Sequence, residues 1–183
     1  MPDPHSTDNY TLGKGILSIA EWDGTSPPTS PDFWDVGNCP SMEVEPTIEK
    51  LPHYSSRAGL RVKDKNPVIQ TEYVVNFDLD EVAAKNLAVF LMGTKTANVV
   101  SALNQTDKEY ALKFVSDNPV GPNAVWEFWR ATISPNGPIQ LIGEEWLTMS
   151  YMAEGLADTA NHASSPYLNV TYATTTTTTT TTT

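Results

Sequence analysis

"SMEVEPTIEKL", residues 41–51, alternates in character along its length. Met42, Val44 and Ile48 fall on one side of an extended chain and Glu43, Glu45 and Glu49 on the other, because successive strand side chains point to opposite faces. This period predicts a β-strand with one apolar face and one face of carboxylates. Pro46 has no N–H to give to a ladder, so the strand belongs at a sheet edge or carries a bulge. A second alternating run, "PVIQTEYVVNFDL" (67–79), sets Thr71, Tyr73, Val75, Phe77 and Leu79 against Gln70, Glu72, Val74, Asn76 and Asp78.

Between the two strands lies "KLPHYSSRAGLRVKDKNPV" (50–68), a polar, strand-poor stretch. It holds five of the eleven Lys and Arg of a chain whose formal net charge is −11. A connection of this size is far longer than the usual hairpin turn of two to five residues, and long loops commonly carry function. Read by composition alone, it is a solvated, mobile loop.

"FDLDEVAAKNLAVFLMGT" (77–94) is the clear helix of the sequence, expected over 79–92. Asp78 is the expected N-cap, Glu81 its capping-box partner, and Phe77 and Val82 a hydrophobic staple. Gly93 is the expected C-cap. Val82, Ala83, Leu87, Phe90 and Leu91 form an apolar stripe that should lie on a sheet. Further strands are expected at Gly15 to Trp22, Tyr110 to Val115, Val125 to Ile133, Ile139 to Tyr151 and Tyr167 to Tyr172, separated by turn clusters. The order is mainly β with one central helix. Residues 1–12 read as a polar arm, 13–173 as one domain, and the threonine run 174–183 as an extended or disordered tail.

At 183 residues the chain has room for one domain with a real core. Cys39 alone cannot form an internal disulfide, and His5, His53 and His162 lack metal-ligand spacing, so neither a disulfide nor a metal is expected. The start, MPDPHSTDNY, lacks a secretion signal, and no window is apolar enough for a membrane span. The expectation is a soluble protein made in a cytoplasm and not inserted in a membrane. The acidic balance argues against tight nucleic-acid binding, yet permits a surface over which nucleic acid passes without sticking.

No nucleophile elbow, phosphate-binding glycine loop or helical histidine pair is present, so no catalytic residue, cofactor or enzymatic activity is assigned. Asp78, Asp80 and Glu81 could hold a metal, but helix capping explains them more simply. Adjacent Glu144 and Glu145 would face opposite sides of a strand and make a poor catalytic pair. Trp126, Phe128 and Trp129 in "AVWEFWR" are either packing residues or stacking platforms for a sugar or base. "NVT" at Asn169 matches a glycosylation sequon, with nothing to place the chain in a secretory pathway.

Taken together, "GKGILSIAEWDG", "WDVGNCPSMEVEPTIEKLPHYSSRAGLRVKDK" and "YVVNFDLDEVAAKNLAVFLMGT" resemble the major tail tube protein of long-tailed, siphophage-type bacteriophages over residues 13–94. The resemblance rests on a Gly-Asn step into a Glu-bearing strand, then the long basic loop, then a strand running into an Ala- and Leu-rich helix. The C-terminal half shares only its β-rich character. The resemblance implies two packed β-sheets, a β-sandwich or partial barrel, with a flanking helix. It implies hexameric rings whose inner sheets join into a β-barrel channel, stacked into a tube that encloses a tape-measure protein and conducts DNA during ejection. Implied partners are other copies of the chain, the tape-measure protein, the tail terminator, distal tail or baseplate proteins, and passing double-stranded DNA. The place implied is the virion tail, assembled in the host cytoplasm.

On that resemblance the loop residues His53, Tyr54, Ser55, Ser56, Arg57, Gly59, Leu60, Arg61, Lys63 and Lys65 are expected to dock on an acidic surface of the next ring. Glu43, Glu45, Glu49, Gln70, Glu72 and Asn76 are expected to line the channel, where negative charge repels phosphates. Two alternatives stand beside this one: the tube of a contractile tail or related injection or secretion machine, and a carbohydrate-binding β-sandwich using Trp126 and Trp129.

Overall fold

A computed structural model of the chain describes residues 9–57 and 59–172; the first eight residues and the threonine run lie outside the described residues. Twelve strands and one α-helix follow in the order β1 (Gly15–Glu21), β2 (Trp34–Asp35), β3 (Ser41–Lys50), β4 (His53–Ser55), β5 (Val62–Lys65), β6 (Val68–Leu79), α1 (Ala84–Phe90), β7 (Thr94–Thr96), β8 (Val99–Ser101), β9 (Glu109–Ser116), β10 (Ala124–Pro135), β11 (Met149–Gly155) and β12 (Leu168–Tyr172). The fold is mainly β, as the alternation predicts.

The main sheet runs β2-β1-β9-β10-β11-β6-β3, with β12 also on β10. Its long strand β10 is the pivot. On one edge, residues 124–128 pair with β12 and residues 131–135 with β11, and a bulge at Trp129 and Arg130 separates the two. A bulge bends a strand and increases its twist. The half containing β1 and β9 and the half containing β11, β6 and β3 thus pack as two sheets that share β10. Leu17, Ile19, Leu112 and Phe128 from the first half close one core with Val75, Phe77, Met149 and Tyr151 from the second. Phe77 stacks on Tyr151 at 4.8 Å between ring centroids. The closure is partial: an open cleft of about 400 Å³, lined by Gly15, Cys39, Met42, Val44, Phe114 and Trp126, lies between β3 and β1. A Cβ on Gly15 would strike the carbonyl oxygen of Val115 and the ring of Phe114, so this glycine serves close packing as well as strand entry.

The helix departs from expectation at both ends. Asp78 and Leu79 remain in β6, and the N-cap is Ala83, with no side-chain cap. Glu81 instead accepts a hydrogen bond from the Asn38 backbone N–H at 3.0 Å, and Asp80 one from the Asn38 amide at 2.6 Å. These carboxylates bind the approach to β3, so they are neither the capping box nor the staple site, and Val82 is exposed. At the other end Met92, with φ 45°, takes the left-handed position. Its N–H bonds to Val89 O at 3.0 Å, and that of Gly93 to Ala88 O at 2.8 Å, the paired bonds of a Schellman motif. Gly93 follows the left-handed position instead of occupying it, and there a Cβ would collide with the Ser101 carbonyl oxygen.

The buried side of α1 also differs from the apolar stripe. Asn86 is 3% exposed; its amide donates to Val36 O at 2.7 Å, and its backbone oxygen accepts from the Tyr151 hydroxyl at 3.1 Å. Phe90 meets Tyr151 edge-on at 5.4 Å. One residue thus ties the helix to Val36 through its side-chain amide and to β11 through its backbone carbonyl, with its hydrogen bonds met internally.

Candidate functional site: a projecting hairpin and an acidic sheet face

β3 and β6 are paired antiparallel from Ser41↔Asp78 to Lys50↔Val68. Over the first part they belong to the body: Tyr73, Val75, Phe77 and Leu79 are buried, and Met42 and Val44 pack on the core. At Pro46 the environment changes. Every residue of β3 from Pro46 to Lys50, and of β6 from Val68 to Glu72, is exposed on both faces. Ile48, expected among the apolar core positions, is on this exposed part, because the strand has already left the body. Pro46 itself is on the edge strand, the place in a sheet where proline is tolerated.

The pairing then continues through the stretch expected to be a loop. Leu51 N–H reaches Pro67 O at 3.0 Å. β4 and β5 pair from His53↔Lys65 to Ser55↔Val62. The result is a two-stranded ribbon from Pro46 to Glu72 whose strands can reach about 30 Å at roughly 3.3 Å per residue. His53 Nδ1 lies 2.5 Å from Asp64, and this hydrogen bond holds the Asp64 carboxyl below the usual carboxylate range. The Arg61 guanidinium lies over the Tyr54 ring at 5.5 Å. Ser56, Arg57, Gly59, Leu60 and Arg61 form the tip, where Leu60 is 78% exposed. Among the described residues, none of Arg57, Arg61, Lys63 and Lys65 joins an ion pair. Elsewhere Lys108 pairs with Glu21 at 2.7 Å, Lys113 with Glu127 at 3.2 Å, and Arg130 with Glu109 through two nitrogens at 2.5 and 2.8 Å.

The strand register also decides which carboxylates share a face. Residues directly opposite in adjacent strands point the same way. Across β3, β6 and β11 the rows facing away from the core are Ser41–Asp78–Ser150, Glu43–Asn76–Met152 and Glu45–Val74–Glu154, continued on the ribbon by Thr47–Glu72 and Glu49–Gln70. Every Asp and Glu of these three strands is on that face, and none of the strands has a Lys or Arg there before Lys50. Glu43, Glu45 and Asn76 belong to the body, whereas Glu49, Gln70 and Glu72 belong to the projecting ribbon. Asp78 and Glu154 join the face although neither was expected among the channel-lining residues; the signal for Asp78 was the alternation itself, which its expected role as a helix cap obscured.

Other candidates resolve into structure. Trp129 lies parallel to the His162 ring at 3.8 Å while donating to Ser165 O at 2.9 Å, so its face is covered, whereas Trp126, stacked near Phe128 at 6.3 Å, lines the open cleft between β3 and β1. Asp158 is buried beneath His162, which it meets at 2.7 Å. Burial alone raises its pKa, but hydrogen bonds from His162 and Asn161 outweigh this and leave the carboxyl below the usual range. Burial pushes the Cys39 thiol up to about 11. Among the described residues no group of three or more His, Cys, Asp or Glu gathers in a way that could hold a metal ion.

The strand expected from Ile139 begins only at Met149. Residues 139–147 form a loop between β10 and β11 that is anchored on the core by Ile139 and Leu147 and exposed from 140 to 146, so Glu144 and Glu145 do not alternate across a strand. Gly143 and the nearby Gly137 and Pro138 break the extended run that its apolar residues suggested.

These features define a mainly-β protein with, among the described residues, one short α-helix, a hairpin rich in Lys and Arg projecting from the body and a sheet face whose charged residues are all carboxylates. The chain belongs to the family described as "Protein of unknown function UCP028589", whose model matches residues 10–100 and 94–171. No curated protein matches the sequence. Among solved structures, a chain of the sheath–tube complex of PVC, an extracellular contractile injection system, in its extended state is similar at a TM-score of 0.42 and 6% identity, over 94% of this chain and 95% of that one. A chain of the anti-feeding prophage baseplate is similar at a TM-score of 0.42 and 9% identity, over 94% of this chain and 97% of that one.

Proposed function

We propose that this chain is a structural subunit of a phage tail tube: it forms hexameric rings that stack into a hollow tube in the virion tail, enclose a tape-measure protein and conduct double-stranded DNA during ejection. The reading rests on the resemblance over residues 13–94 and on one observation above all. The same pair of strands carries, on a ribbon outside the body, cations that join no ion pair among the described residues and, on one face within the body, carboxylates as its only charged groups. A cationic projection suits docking on another acidic copy, and a wall of carboxylates repels phosphate so that DNA slides instead of adhering. The free edge of β3 is an unprotected ladder that a neighbouring subunit in a ring would cover. A ring-and-tube role needs no cofactor and no catalytic residue.

The test is assembly. Purified protein, concentrated and viewed by negative-stain electron microscopy with sedimentation alongside, is expected to give rings or tubes, and the double variant R57E/R61E to give none at physiological salt. Tubes that form equally well with both charges reversed would remove the ribbon from the stacking contact. The same role in a sheathed, contractile machine is distinguished by a sheath protein that copurifies with the tube.

A further inference from the structure

The β10–β11 loop carries three strongly exposed apolar side chains. Trp146 is 94% exposed and Ile142 91%, with Leu141 beside them. Glu144 and Glu145 share this loop, and residues 136–148 contain no Lys or Arg. Apolar side chains this exposed and this close together mark a contact surface.

Its place in the fold selects the partner. Met149, which follows the loop, is opposite Leu79, at the far end of β6 from the ribbon, while Glu154 is opposite Val74, towards the ribbon. The loop and the ribbon therefore leave the same sheet from opposite ends. Their chemistries are complementary: the ribbon tip offers Tyr54, Leu60 and Val62, all exposed, beside Arg57, Arg61 and Lys63, which join no ion pair among the described residues. Two different, complementary patches at opposite ends of one molecule make a heterologous contact, which repeats without closing on itself in a pair.

We propose that the 139–147 loop is the seat for the ribbon tip of a second copy of this chain, with Leu60 and Val62 against Ile142 and Trp146, and Arg57 and Arg61 facing Glu144 and Glu145. This deepens the tube reading and rests on it, since it names the surface on which the projecting ribbon lands. The apolar residues supply most of the contact, and the charges fix which end meets which.

The test is a crosslink. In a Cys39→Ser background, the double variant Arg61→Cys/Glu144→Cys is concentrated and treated with a short bismaleimide, while the parent protein is viewed by electron microscopy. The expected result is a ladder of dimers, trimers and longer chains from the double variant, with no more than dimers from either single-cysteine variant. Tubes in the micrographs without a ladder overturn the 139–147 seat and leave the tube reading standing. A ladder without tubes supports the seat while the tube reading falls. Neither tubes nor a ladder overturns both. A second check is charge exchange: E144K/E145K is expected to abolish stacking, and its mixture with R57E/R61E to restore it. Undiminished stacking by E144K/E145K overturns the pairing.

Discussion

The two ends of the β3–β6 pair are built from the same alternating sequence and the same backbone ladder, yet one end is core and the other is surface on both faces. In the body, Tyr73, Val75 and Phe77 bury against β11 and the opposing half-sheet. On the ribbon, Ile48, Val68 and Ile69 have the same apolar character and no core to enter. Hydrogen-bonded pairing can thus be carried past the edge of a body, but apolar burial cannot. The apolar residues of the ribbon contribute little to folding of the single chain and remain free to contribute to association.

That contrast breaks most readily in the body. Phe77→Ala removes a ring stacked on Tyr151 and is expected to cost about 3–5 kcal/mol in urea unfolding of the monomer. A loss below about 1 kcal/mol would mean that the two half-sheets do not share the core described. Asn86→Ala leaves the buried Val36 carbonyl without its donor and is expected to cost about 1–3 kcal/mol in the same assay.

Asp158 gives a pH-dependent form of the comparison. Its folded pKa lies below the ordinary value, so its contribution is present above the unfolded carboxylate pKa and is lost as pH falls through the folded one. Thermal melts of the parent protein should therefore lose stability over that acid window more steeply than melts of Asp158→Asn. Parallel curves would show that its hydrogen bonds do not favour the ionised form.

The smallest expected effect on folding is on the ribbon. Val62→Ala and R57E/R61E should each leave monomer stability within about 0.5 kcal/mol of the parent, even where the charge reversal is expected to abolish stacking. A large loss of monomer stability would mean that the ribbon folds back on its own body. The acidic face can be probed without touching the fold: E43K/E45K tubes should retain plasmid DNA at low salt that parent tubes release.

The body was legible because alternation and burial agreed there. Met42, Val44, Tyr73, Val75 and Phe77 could be assigned to one face from the sequence, and Pro46 marked the edge strand. The ribbon was half legible: its charge was plain, but "HYS" and "VKDK" are too short and polar to announce strands, and they pair because β3 and β6 deliver them already in register. The helix ends were misread because the acidic residues that suit a cap are used by Asn38, and because Met92 occupies the left-handed position expected to need glycine. Asn86 left no signal, since a buried amide is recognised only by the partners that surround it. The 139–147 loop reads as a strand because it is apolar, although its most apolar residues, Leu141, Ile142 and Trp146, are exposed in the single chain.

The ladder between β6 and β11, from Leu79↔Met149 to Val74↔Glu154, lies across the direction in which the hairpin leaves the body. Hydrogen bonds in an antiparallel pair run perpendicular to the strands. Tension applied at the tip therefore loads these bonds side by side, in shear, instead of opening them one after another. A hairpin anchored in this way is a mechanical tether that holds until many bonds give together.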